Sequence, residues 1–281
     1  MNAIFTCCDA KYGDFLVKHW LRSLQKNTDL AGVEIIILDY GLTDRQRSTL
    51  IKKGAIIKRC IKDGHVTSVR FRDMAAILEK SSYEQVLSAD GGDMIFQTDI
   101  SPLFSANMGT FRAAYDVNNH IINHFPVHIF FRQDYAGKIR QDLKKRKKTI
   151  NAGLLVGPRD RFIQLCREYL RTVTTTKSYG PDQVAIDHIL HRDGFHVLDP
   201  SYNFIPTNAE EFQIRSGIFY FKDDTIIPVV HNAGGTETFR IVKEFGYGRG
   251  FNKIDKASLV GVNLMHKAVK KIDDLTDRRS S

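Results

Sequence analysis

The 281-residue chain has only four cysteines, Cys7, Cys8, Cys60 and Cys166, and none stands in a Cys-x-x-Cys pair. That is too few for a disulfide scaffold and the wrong spacing for a structural zinc ribbon or finger. Cys7 and Cys8 are neighbours on an expected strand, which points them to opposite faces. All four read as reduced, mostly buried thiols of a cytosolic protein. No stretch approaches the ~18 uninterrupted apolar residues that cross a bilayer. The opening segment MNAIFTCCDAKYGDF lacks a cationic start followed by an apolar run, so no signal peptide is expected. No Gly-x-Gly-x-x-Gly follows the first apolar run, which disfavours a dehydrogenase built on a dinucleotide site. Internal repeats and Pro/Ser-rich linkers are also missing.

What is present is ordinary in amount: 42% hydrophobic and 26% charged residues, too apolar for a disordered chain. At ~150 residues per domain the length fits roughly two domains or one large α/β unit. A core of that size needs no staples. Lys and Arg number 41 against 32 Asp and Glu, a net charge of +9. This favours phosphate-bearing partners or an anionic membrane surface without choosing between them.

The first hundred residues alternate strand and helix signals. Ala3 to Cys8 is a short apolar run ending at Asp9; Phe15, Leu16, His19, Trp20 and Leu24 then recur at helical spacing. Val33 to Leu38 is a β-branched run of the kind buried on both faces of a sheet. Thr43 is placed to cap a helix from Asp44 to Lys53, which Gly54 ends. Ala55 to Lys58 predicts a third strand, Val69 to Glu79 a helix, and Gln85 to Ser88 a fourth strand. This βαβαβ rhythm predicts a parallel sheet with helices on both faces. Further strands are expected at Phe111–Asp116, Gly153–Val156, Phe195–Leu198, Ile218–Phe221 and Pro228–His231. Helices are expected at Arg159–Arg171 and Asp182–Leu190, with Pro158 and Pro181 in their first turns.

Ligands of open parallel sheets sit beyond the carboxyl ends of the strands. The fourth strand ends in Ala89-Asp90-Gly91-Gly92-Asp93, which puts two carboxylates at such an end. Glycine permits positive φ and close backbone approach, so Asp90 and Asp93 can turn toward one point. Two hard oxygen ligands with open positions suit Mg²⁺ or Mn²⁺ shared with substrate phosphates. The competing reading is a plain Asp-Gly-Gly-Asp surface turn; the apolar flanks argue against it, because they bury the approach and leave the acids at its tip.

The whole segment from Val86 through Asp90-Gly91-Gly92-Asp93-Met94-Ile95-Phe96-Gln97-Thr98-Asp99 to Leu103-Phe104 resembles the acidic-motif region of GT-A glycosyltransferases. It is most similar to glycosyltransferase family 8, the glycogenin and lipopolysaccharide galactosyltransferase group. Three further matches follow in family order: Asn151-Ala152-Gly153-Leu154-Leu155, Asp182-Gln183, and His231-Asn232-Ala233-Gly234-Gly235. Together they cover roughly residues 1–235. There is one departure. Aligned on Gln97, Asp90 falls at the first family aspartate but Gly92 at the second, with Asp93 one position later. Three outcomes stay open: Asp93 replaces the second ligand, fewer protein groups hold the metal, or there is no metal.

The resemblance implies an α/β fold: a single GT-A, Rossmann-like nucleotide-diphospho-sugar transferase domain over residues 1–260, with a mixed, mostly parallel central sheet. Residues 1–105 form its nucleotide-binding half and 106–260 its acceptor-binding half, followed by a basic tail, 261–281. It implies a hexosyltransferase moving sugar from a nucleotide-diphosphate donor, a UDP-sugar by preference, to a saccharide or glycolipid acceptor. Retention of configuration and a place in surface polysaccharide or glycan synthesis go with it. Asp90, Asp93 and His231 become metal ligands. Asp9 and Tyr12 lie where the family holds base and ribose, and Arg70 or Arg72 pairs with the diphosphate alongside Asp90. Asn151, Asp182 and Gln183 contact the donor sugar or orient the acceptor. Plainer readings compete: a helix cap for Asp9, core packing for Tyr12, an exposed helical arginine, a first-turn acid for Asp182, and a strand-end histidine for His231.

His120, His124 and His128 repeat every four residues, but Pro126 interrupts the helix and no acid joins them, so a loop is expected there. The basic run from Lys138 to Lys148 reads as a solvated helix face. Functionally, Lys144–Lys148 and the Lys267–Arg279 tail suit peripheral contact with anionic lipid on the inner face of a membrane. A nucleic-acid binder would interleave aromatics with these cations; it does not, so no nucleic acid is expected. A nucleotidyltransferase would want a glycine-rich, cationic loop after the first strand, and Cys7 to Asp14 has one glycine and one lysine.

Overall fold

The computed structural model describes residues 1–116, 125–145, 148–208, 211–234 and 240–262, together with 264, 268 and 271. Its first half follows the sequence rhythm. Strands β1 (Asn2–Cys8), β2 (Val33–Asp39), β3 (Ile56–Arg59) and β4 (Gln85–Ala89) run parallel. Between β1 and β2 the chain is helical as α1 (Ala10–Phe15), a π-helical turn (Leu16–Trp20) and α2 (Leu21–Asn27). Helix α3 (Asp44–Lys52) joins β2 to β3, and α4 (Val66–Leu78) joins β3 to β4. Thr43 caps α3 as expected: its hydroxyl accepts from the Gln46 backbone N–H, and the Gln46 side chain accepts from that of Thr43.

Strand alternation splits the apolar runs between two core layers. Ile35 and Ile37 pack with Trp20, Leu24 and Leu50 on one face. Ile36 and Leu38 pack with Phe71, Met74 and Leu78 of α4 on the other. Cys8 joins the first layer and Cys7 packs against the second, as their adjacency requires. All four cysteines are free.

Beyond β4 come β5 (Met94–Phe96), β6 (Phe111–Asp116), α5 (Val127–Phe130), α6 (Gln133–Lys145), β7 (Thr149–Pro158), α7 (Arg159–Thr172), α8 (Pro181–Asp193) and β8 (Phe195–Leu198). The central sheet has seven strands in the order β3-β2-β1-β4-β7-β6-β8. It is mixed. Strand β7 runs antiparallel to both β4 and β6, while β6 and β8 are parallel. This sets the start of β7 beside the end of β4: Ala89 is opposite Leu154, and Asp90 N–H donates to the Gly153 carbonyl at 2.9 Å. Pro181 opens α8, whereas Pro158 is the cap of α7 rather than a first-turn residue.

The basic run belongs to α6, where Ile139 and Leu143 are buried and Lys138, Arg140, Lys144 and Lys145 are exposed. Arg146 and Lys147 lie outside the described residues, as do His120, His124 and Gly235; His128 is exposed on α5. The chain closes through short strands, β9 (Gln213–Arg215), β10 (Ile218–Tyr220), β11 (Val229–His231), β12 (Val242–Lys243) and β13 (Lys253–Ile254). Strand β11 pairs antiparallel with β5, over a third apolar cluster that holds Ile95, Phe204, Phe219, Val230 and Val262. Residues 256–262 are helical; of the basic residues in the tail beyond, only Lys271 is among those described. No described helix is long and apolar enough to cross a membrane.

Candidate active site

Asp90 follows β4 and Asp93 precedes β5. The two glycines between them do not adopt left-handed φ, so the expected use of positive φ in this turn is not what the structure shows. Space is the reason that holds. A Cβ on Gly91 would stand 2.5 Å from the Thr6 hydroxyl of β1, and one on Gly92 would stand 3.0 Å from the Tyr12 ring. The turn therefore lies flat against β1 and α1, which aims both acids outward over the sheet end.

Pairing of β5 with β11 brings in the third group. Met94 is in register with His231, and Asn232 N–H donates to the Asp93 carbonyl at 2.8 Å. His231 Nε2 lies 3.5 Å from Asp93 Oδ1 and 3.8 Å from Asp90 Oδ2. One ligand atom of each residue lies within 4.8 Å of the others, the only such group among the described residues. Two anionic oxygens and an imidazole nitrogen converging on one point fit Mn²⁺ or Mg²⁺. Gly153 gives the ring its room: a Cβ there would meet His231 Cε1 at 2.4 Å and Asn151 Oδ1 at 2.9 Å. Gly153→Ala is accordingly expected to weaken Mn²⁺ binding about tenfold or more, at a cost of about 1–3 kcal/mol in stability from overpacking. Isothermal titration and urea denaturation of the variant check both.

Charge is unevenly held here. Burial opposes ionisation of Asp93, but His231 and Arg240 outweigh it and keep the carboxyl below its usual range. Burial likewise opposes the imidazolium of His231; Asp93 and Asp90 outweigh it and raise its pKa. A cation at Nε2 must displace that proton. Its affinity is thus expected to climb with pH through the raised imidazole pKa and level off above it, with proton release below. Titrations in buffers of different ionisation enthalpy measure this, and a flat pH profile would remove His231 from the ligand set.

Arg70, on α4, is 4% exposed and bridges two acids: Nη1 lies 2.5 Å from Asp90 Oδ1 and Nη2 3.3 Å from Asp182 Oδ2. It is a buried brace behind the acidic turn, not the exposed helical arginine of the plain reading. Burial raises the pKa of Asp182, Arg70 lowers it in part, and Asp90 adds to the rise. Asp182 occupies the first turn of α8.

These groups line a cleft of about 1020 Å³ beyond the ends of β1 and β4. Asp9, Tyr12, Asn151 and Gln183 line it too. Asp9 caps α1 through the Lys11 N–H and is paired with Lys62 at 2.7 Å. Asn151 Oδ1 accepts from Gly153 N–H and from Asn203, and its Nδ2 faces Asp116 at 3.4 Å. The Gln183 amide oxygen accepts from Ala152 N–H and its amide nitrogen donates to the Ile150 carbonyl. It thereby clamps β7 to α8 on both sides of Asn151. Arg72 is not brought into the cleft. It is held by Asp63, Asp73 and the Ile61 carbonyl on the outer side of α4.

Two cleft residues, Asp116 at the end of β6 and Arg240, and one buried behind the cleft, Asn203, carried no sequence signal. Arg240 Nη2 lies 2.8 Å from Asp93 Oδ2. Asn203 touches both Asn151 and His231.

No protein-family model matches the chain, and no curated protein matches it in sequence. Solved structures do match. The bifunctional glycosyltransferase WbbM, in its apo form, is 13% identical with a TM-score of 0.55, over 84% of this chain and 46% of WbbM. The chain thus spans just under half of that protein's length. Galactosyltransferase LgtC, in complex with donor and acceptor sugar analogs, is 16% identical with a TM-score of 0.51, over 85% of this chain and 89% of LgtC. An active-site mutant of LgtC gives 15%, 0.53, 94% and 95%. The fold is therefore the GT-A fold of these glycosyltransferases, a mixed, mostly parallel α/β sheet as expected.

Proposed function

We propose that the protein is a metal-dependent glycosyltransferase that moves a hexose from a nucleotide-diphosphate sugar, a UDP-sugar by preference, to a saccharide or glycolipid acceptor. The observation that carries this is the convergence of Asp90, Asp93 and His231 at the sheet end of a GT-A fold. The similar LgtC structure is of a galactosyltransferase with donor and acceptor sugar analogs. Mn²⁺ or Mg²⁺ would be held by Asp90, Asp93 and His231. Bound there, the cation supplies charge that stabilises a departing diphosphate.

The chain's own residues do the rest. Arg240, beside Asp93 on the cleft wall, offers a guanidinium suited to two diphosphate oxygens. Arg70 keeps the Asp90 carboxylate in place and holds Asp182 within the same network. Asp182 and Asn151 present polar groups to the donor sugar, and Gln183, beside Asp182 on the cleft wall, positions a sugar hydroxyl while its amide holds β7. Asp9 and Tyr12 lie on the side assigned to base and ribose. In the transfer the bond from the anomeric carbon to diphosphate breaks, one to the acceptor oxygen forms, and the acceptor hydroxyl's proton passes to the departing diphosphate. Retention of configuration follows the family 8 likeness; Asp182 is the supporting carboxylate in this scheme, and no nucleophile is assigned. Surface polysaccharide or glycan synthesis in the cytoplasm completes the reading. Peripheral contact with anionic lipid would run through the exposed Lys144, Lys145 and Lys148.

The test is a panel of nucleotide-sugars titrated calorimetrically with and without Mn²⁺. A UDP-sugar is expected to bind with Mn²⁺ and to raise the melting temperature with its concentration. No binding of any nucleotide-sugar under either condition defeats the proposal.

A further inference from the structure

Asn203 ends a short helical turn, Pro200–Asn203, and is 3% exposed. Its side chain is fixed by three contacts. Nδ2 donates to the Asn151 backbone carbonyl at 3.2 Å and to Asn151 Oδ1 at 3.0 Å. Both acceptors identify the nitrogen, so Oδ1 is the atom that meets His231 Nδ1 at 2.9 Å. An amide oxygen only accepts, which puts the hydrogen on Nδ1 and turns Nε2 toward Asp90 and Asp93. The backbone locks the same arrangement. Phe204 N–H donates to Val229 and His231 N–H donates to Phe204, at 3.0 and 2.8 Å. The turn and the end of β11 are therefore tied together through the backbone.

We propose that Asn203 is a positioning residue: it fixes the tautomer and ring orientation of His231 for a divalent cation, and ties that arrangement to Asn151 on the donor-sugar side. This rests on reading Asp90, Asp93 and His231 as a cation site. Groups that orient a ligating imidazole through its second nitrogen typically account for about 10–100-fold in metal affinity. Asn203 adds a feature to that pattern, because the same amide that orients the histidine holds the neighbouring asparagine. Cation and sugar contacts are thus assembled by one side chain.

The experiment uses the full chain, with Mn²⁺ alone as the first probe, followed by electron paramagnetic resonance. Asn203→Leu, which has no acceptor, is expected to weaken Mn²⁺ binding about 10–100-fold. Asn203→Asp keeps an acceptor facing Nδ1 but loses the donor to Asn151. It is expected to bind Mn²⁺ close to wild type while the KM for the donor sugar rises. A merely structural role would move both quantities together in both variants. Histidine-labelled protein with Mg²⁺ gives a second signature, an Nδ1–H imidazole in wild type and in Asn203→Asp. If Asn203→Leu fails to fold, Asn203→Asp decides alone: wild-type behaviour in both metal and donor binding overturns the proposal. Wild-type protein that binds no Mn²⁺ instead defeats the cation site itself, which separates the two failures.

Discussion

Asn in place of Asp93 is expected to lower Mn²⁺ affinity and metal-dependent transfer by about 100-fold or more, the loss expected when a bound divalent cation forfeits an anionic ligand. The substitution keeps the side-chain volume and leaves an oxygen for Arg240, which now lies 2.8 Å from the carboxylate. What it removes is the negative charge. His231 is affected as well, because Asp93 is the leading charge that raises its pKa against burial. The variant's imidazole therefore gives up its proton at lower pH, and the remaining weak Mn²⁺ binding shows a pH rise shifted downward. Electron paramagnetic resonance of free Mn²⁺ measures the affinity, and steady-state kinetics the transfer. Wild-type affinity in this variant would exclude Asp93 from the ligand set and leave Asp90 and His231 as the cation's protein contacts.

The second large effect is on stability. Arg70→Ala strands the buried carboxylate of Asp182 and the half-buried one of Asp90, which lose their shared guanidinium. Breaking one partner of a buried ion pair costs about 3–5 kcal/mol. For a chain of this size that is a fall in Tm of roughly 10 °C. The pH dependence has a definite sign. Burial holds the folded pKa of Asp182 above its unfolded value, and Arg70 works against that rise. A raised carboxyl binds its proton more readily in the folded state, so its ionisation costs stability as pH rises through the folded pKa. Without Arg70 that pKa rises further and the cost spans a wider range. The variant's deficit is expected to be largest near neutral pH and to shrink on acidification toward the folded pKa of Asp182 in the wild type. Urea denaturation at several pH values reads it. A deficit that does not change with pH would place the loss in packing of the arginine stem rather than in its charge.

Arg70 also shows how far a motif reads without a fold. Its position before the acidic turn suggested an arginine near the diphosphate, and Arg72 two residues on was an equal candidate. Two residues along a helix are about 200° apart around its axis. Only the packing of α4 on the sheet decides which of them faces the cleft, and it is Arg70. Likewise, Asp-Gly-Gly-Asp pointed to two converging acids, but the reason for its glycines is the closeness of β1 and Tyr12. Such a closeness belongs to distant parts of the chain. Gln183 was legible as a site residue because it adjoins Asp182, yet its amide serves the backbone of β7.

The strands of the first half were readable because β-branched runs buried on both faces leave a continuous apolar signature, and the turns between them carry caps and glycines. Residues Met94–Phe96 were not, since three apolar residues after a turn have no period of their own. Their partner β11 lies more than a hundred residues on.

The amino-acid sequence alone determined the parallel half of the sheet, the acidic turn at its end and the order of four motifs, because each is written in residues close together in the chain. The tertiary structure decided the direction of β7, the arrival of His231, Asn203 and Arg240 around the acids, and the exclusion of Arg72. Those depend on pairings between segments far apart in sequence. Loop closure and core packing select such pairings, and no local pattern encodes them.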